Sequence, residues 1–188
     1  MTITDRLIAP NTTRSEAALC YSAAIAGAAT AGLLAGHAGG SALVIAVVTL
    51  VGFDLFGGAV VNATASAKRW FHRPGRHARH HLAFVAIHGQ PFLLALVVPG
   101  FGWWTAAAIY GLVVAAAVAV TSTPHRLRTP VAFAGTVFGT AITTAVLAVP
   151  TFLLWFGPVL LIKLLLAHLL PEPGTVDNDL PTMPRPAG

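Results

Sequence analysis

Between Glu16 and Glu172 the chain has one acidic residue, Asp54, and its basic residues there fall almost entirely into two short clusters. Lys68, Arg69, Arg73, Arg76 and Arg79 form one, Arg126 and Arg128 the other, and Lys163 stands alone. The stretches between are apolar and mostly long enough to cross a hydrocarbon core, which takes about 20 helical residues. Soluble domains are about a quarter charged, whereas this chain is 9% charged and 56% hydrophobic. In lipid every backbone polar group must be paired within the segment or in a closed barrel, and uninterrupted apolar runs select helices. The expected fold class is all-α, a polytopic transmembrane helical bundle.

Turn signals and charges divide the chain into a cytoplasmic amino-terminal tail (1–16), a single helical domain (17–170) and a disordered, proline-rich carboxyl-terminal tail (171–188). Spans are expected near 17–36, 42–65, 82–98, 105–121, 130–149 and 151–170, with a basic loop at 66–81. The last apolar stretch, 130–170, is ~60 Å as one helix, about twice the bilayer core, so it should fold back. A break at Pro150 gives six spans; a break at Gly157 and Pro158 gives five. Arg6 with Arg14, the basic loop, and Arg126 with Arg128 all fall on one side of a hairpin-by-hairpin arrangement, while the turns at 37–41 and 99–104 are uncharged. The positive-inside rule then places the amino terminus in the cytoplasm, and six spans return the carboxyl terminus there. A cleaved leader is disfavoured, because Asp5 and Glu16 offset Arg6 and Arg14 in the region that should be net positive. Abundant Ala, Gly and Arg suggest a bacterial inner-membrane protein. The formal charge of +5 concerns topology rather than nucleic acid, since no water-soluble module carries a basic face. Cys20 is the sole cysteine and reads as a small buried hydrophobe.

Asp54 lies mid-span, where a carboxylate costs about 2.5 to 3.5 kcal/mol and is a functional group by default. Asp54, Gly58, Asn62 and Ser66 recur every fourth residue and share one helical face. In the third span Gly89 and Pro91 weaken the helix around His88 and Gln90. From the helical rise, Asp54 lies ~16 Å and His88 ~9 Å below the cytoplasmic surface, so the two can approach. Asp54, His88, Gln90 and Asn62 are therefore the candidate catalytic residues. Lys163 could pair with Asp54, but a lysine this near a helix end is expected to snorkel to the surface. Small residues four apart, Gly27 with Ala31 and Gly32 with Gly36, suit close helix contact, within the chain or in an oligomer.

The basic loop also carries His72, His77, His80 and His81. The H-x4-H spacing of His72 and His77, and the H-x2-H-H spacing of His77, His80 and His81, resemble the histidine boxes of membrane di-iron hydroxylases and desaturases. That family uses several separated boxes; here the two share His77 and no third follows. A single transition metal, zinc or iron, held by His77, His81, His88 and Asp54 needs fewer ligands. A helix beginning near Arg76 would align those three histidines on one face. Lys68, Arg69, Arg73, Arg76 and Arg79 are the candidate cations for anionic lipid headgroups.

The leading functional expectation is a membrane-embedded enzyme acting on a lipid or isoprenoid-like substrate. The alternatives are a proton-coupled carrier or channel using Asp54 and His88, and a scaffold without chemistry.

Overall fold

The computed structural model describes residues 8–171; the outermost tail segments expected from the sequence lie outside them. The described residues form helices joined by turns, with no strand among them. Five helical segments are long and apolar enough to cross a membrane: Arg14–His37, Ala42–Ala63, Ala78–Val97, Trp103–Ser122 and Thr151–His168.

Helix α1, Arg14–His37, starts before the expected boundary because Thr13 and Glu16 form a capping box. The Thr13 hydroxyl accepts from the Glu16 amide at 3.2 Å, and the Glu16 carboxylate accepts from the Thr13 amide at 2.9 Å. A tight turn with Gly39 at φ +74° reverses the chain into α2, Ala42–Ala63, which Ser41 caps. Only glycine adopts that backbone conformation without cost. The α1–α2 hairpin closes through small residues. Cys20, Ala24, Gly27, Ala31 and Ala35 form the buried stripe of α1. A Cβ at Gly52 would lie 2.6 Å from the Ala31 Cβ and 2.8 Å from the Gly27 carbonyl oxygen. Of the close contacts that the spacing suits, the one within the chain is made by Gly27 and Ala31, while Leu19, Ile25 and Leu33 face outward.

The expected second span, 42–65, stops early. Thr64 adopts an extended conformation and caps a separate short helix, α3, Ala65–Phe71, with its hydroxyl accepting from the Ala67 amide at 3.2 Å. The basic loop is therefore partly helical, and Ser66 leaves the α2 stripe. The third span is two helices, α4 (Ala78–Ala86) and α5 (Gln90–Val97), with a complete break at 87–89. Gln90 and Pro91 open α5, where the missing proline amide costs nothing. Two side chains repair the break: the Tyr110 hydroxyl donates to the Ala86 carbonyl at 2.8 Å, and His88 Nδ1 donates to the Phe84 carbonyl at 2.6 Å.

Helix α6, Trp103–Ser122, matches its expected range apart from an extra residue or two at each end. Helix α7, His125–Ala145, begins five residues before the expected 130, absorbing Arg126, Arg128 and Pro130. It has 21 residues, but its basic first turn, glycines and threonines keep it out of the apolar set. The chain then turns at 146–150. Of the two breaks weighed from sequence, the structure uses the one at Pro150, and Pro158 sits harmlessly in the first turn of the next helix.

The last segment comprises a short 3-10 turn (Thr151–Leu153), α8 (Phe156–Leu161) and a wide-turned π stretch (Ile162–His168). It packs against α2, α6 and α7. Leu153, Phe156, Leu160, Leu161, Leu164 and Leu165 are all buried on it. A helix apolar on most sides belongs in the centre of a bundle, and this one supplies a large share of the core.

Candidate functional site

The final segment brings Lys163 to Asp54. Lys163 Nζ lies 2.8 Å from Asp54 Oδ2 and 3.3 Å from the Asp54 carbonyl oxygen. The side chain of Lys163 is 4% exposed and that of Asp54 49%. Gln90 Nε2 donates to the same Oδ2 at 2.9 Å. Gly58 makes the pair possible, because a Cβ there would sit 2.5 Å from Lys163 Cε and 2.8 Å from Nζ. One turn further along α2, buried Asn62 donates to the Lys163 carbonyl at 3.4 Å. The stripe of Asp54, Gly58 and Asn62 is thus the slot for the lysine, and the expectation that Lys163 snorkels is corrected. A buried ammonium is costly alone, and an opposite charge at contact distance is the better solution.

Asp54, Gln90, His88, Asn62 and Lys163 line a cleft of about 800 Å³. Its walls are mostly apolar or aromatic, among them Tyr21, Phe53, Val61, Trp70, Phe84 and Ile87. Ile8, Ala9 and Pro10 also line it, and Ile8 and Ala9 are buried. The end of the expected free tail is therefore packed against the bundle. It is tied down by Ser66, whose hydroxyl donates to Glu16 Oε2 at 2.8 Å and to the Asn11 carbonyl at 3.3 Å. All four candidate catalytic residues reach this one cleft. A carbonyl oxygen can only accept, so His88 Nδ1 carries a proton, and in the neutral ring Nε2 is then an acceptor.

The candidate metal ligands do not converge. Among the described residues no three His, Cys, Asp or Glu side chains are grouped to hold a metal ion. The reason is local. His77 caps α4 instead of lying on it, and its amide donates to His80 Nδ1 at 3.1 Å. The break at 87–89 takes His88 off the face of His81. His81 turns instead to His168, with its Nδ1 3.2 Å from His168 Nε2, and stacks on His72 at 4.6 Å. His72 Nε2 donates to the His168 carbonyl at 3.0 Å. His168 also stacks on Phe84 at 3.9 Å, and its buried Nδ1 has no hydrogen-bond partner among the described residues.

Comparison with protein-family models, with curated proteins and with solved structures found no match. The geometry alone carries the functional argument.

The five loop cations separate into different roles. Lys68 donates to the carbonyls of Ala167 and Leu170, closing the carboxyl-terminal end of the last helix, where a cation also meets the negative end of the helix dipole. Arg69 donates to the Ser66 hydroxyl at 3.3 Å. The Arg73 guanidinium lies 3.7 Å from the centre of the Trp70 ring. Arg79 is exposed and Arg76 half-buried.

His168 is not among the candidate residues that the sequence suggests. Lys163 and His168 are five residues apart, about 140° around an α-helix. The wide turn of Ile162–His168 brings them nearer one line, and π turns of this kind often mark functional sites. No residue pattern announces such a turn.

Proposed function

We propose that this protein is a membrane-embedded enzyme acting on a lipid or isoprenoid-like amphiphile, with Asp54 at its reactive centre. The observation that carries this reading is a carboxylate opening into an apolar cleft while one of its oxygens is held by a buried lysine and a glutamine. An apolar pocket with a few convergent polar groups is the usual form of a small-molecule site. The substrate's chain lies along the aromatic walls and its polar end meets Asp54. Oδ2 is occupied by Lys163 and Gln90, which leaves Oδ1 to accept a proton from a substrate hydroxyl or comparable group. His88 Nε2 is the second proton acceptor in the cleft, and Lys163 balances the charge that develops. This acid–base version needs no metal.

The wider setting of the reading is a six-span bundle in a bacterial inner membrane. Both termini face the cytoplasm, and the basic loop lies against anionic headgroups.

Lipid extracts of source cells lacking the gene, compared by mass spectrometry with cells carrying it, test the reading. The expected result is accumulation of one amphiphile and loss of its product, both reversed on complementation. Extracts indistinguishable between the two strains would remove the enzyme reading.

A further inference from the structure

A second pocket, of about 290 Å³, lies at the loop end of the bundle and shares no lining residue with the Asp54 cleft. The turn before α4, the end of α6, the first turn of α7 and Leu169 enclose it. Its polar side chains are His72, Arg76, His77, His81, Thr121 and Arg128, and no carboxylate lines it. The two arginines come from different elements, and both are half-buried. Arg128 is anchored by donation from Nε to the Thr123 carbonyl at 3.2 Å, which leaves both terminal nitrogens for a ligand. No hydrogen bond or ion pair among the described residues takes up the Arg76 side chain.

Two guanidiniums and several imidazoles in a part-enclosed cavity, with no compensating acid, hold a surplus of positive charge. Burial pushes the His72 imidazole below its ordinary range, its bond to the His168 carbonyl opposes that, and the nearby charges of Lys68, Arg128 and His125 push it further down. An anion in the pocket would reverse that pressure. The donors approach from several sides, which suits a tetrahedral group with several acceptor oxygens better than a planar carboxylate. Arginine forks match phosphate oxygens two at a time. We propose that this pocket binds a phosphate group, held between Arg76 and Arg128 with His72 and His77 beside it. A phospholipid headgroup and a free phosphate share that chemistry. The proposal does not depend on the enzyme reading, because the two cavities have no residue in common.

The test uses full-length protein in maltoside detergent with two probes: phosphatidic acid, followed by native mass spectrometry, and inorganic phosphate, followed by calorimetry. Variants R76Q and R128Q are compared with R126Q, which alters an exposed arginine of the same helix that does not line the pocket. The wild type and R126Q should bind at least one probe alike, and R76Q and R128Q should each weaken that binding about tenfold, as loss of a charged fork implies. Binding of phosphatidic acid alone identifies the source as a lipid headgroup; binding of both shows that free phosphate suffices. If R128Q does not fold, R76Q decides. No binding of either probe by the wild type, or binding by a folded R76Q or R128Q equal to that of R126Q, overturns the proposal.

Discussion

Asp54→Ala is expected to lower stability by about 3 kcal/mol, the scale seen when one member of a buried ion pair is removed. The cost arises at Lys163. Asp54 is half-exposed and could be lost cheaply, but its partner is 4% exposed and sits in a slot shaped by Gly58. Without the carboxylate the ammonium keeps, among the described residues, the position-54 backbone carbonyl at 3.3 Å. Lys163→Met in the same chain should restore most of the loss, because replacing both charges by apolar groups removes the desolvation cost along with the attraction. Unfolding of the four proteins of this double-mutant cycle in detergent micelles measures the coupling. Stability of Asp54→Ala within about 0.5 kcal/mol of wild type, the range of surface substitutions, would show that the pair carries no such weight.

Gly52→Val is expected to cost about 3 kcal/mol, the upper part of the range for overpacking. The new Cβ would meet the Ala31 Cβ at 2.6 Å and the backbone oxygen of Gly27 at 2.8 Å. A flexible side chain could move aside, but a helix backbone cannot do so without parting α1 from α2. Gly36→Ala is the matched control, since its Cβ would meet only Ile45 Cδ1 at 3.9 Å. Thermal unfolding should separate the two clearly. Equal melting temperatures would mean that the hairpin tolerates a wider spacing.

These two predictions rest on features that differ in how far the sequence announces them. The small residues of α1 and α2 are visible as a spacing, because close helix approach in lipid requires them. The break in the third span is visible too, because Pro91 and Gly89 weaken one turn by known means. Asp54 stands out since an acid in mid-span needs a reason. The partner of Asp54 is less legible. Lys163 lies 109 residues away, and whether it snorkels or turns inward depends on how the last segment sits against α2. That placement follows from packing around Phe156, Leu160 and Leu164, which no local pattern encodes. The histidines fail as a line for a similar reason. Their spacing assumes one continuous helix from Arg76 to His88, and the chain supplies neither its start nor its end. His77 becomes a cap, and His88 becomes the repair of a broken turn. The basic loop likewise reads as a uniform patch, yet its cations divide between a helix end, a hydroxyl, an aromatic face and a pocket.

The most direct test of the central claim, that the Asp54–Lys163 pair serves chemistry rather than assembly alone, uses the double variant Asp54→Ala with Lys163→Met in cells lacking the native gene. The expected result is a folded protein at near wild-type abundance whose cells keep the lipid profile of the deletion strain. A folded double variant that restores the wild-type lipid profile would contradict it.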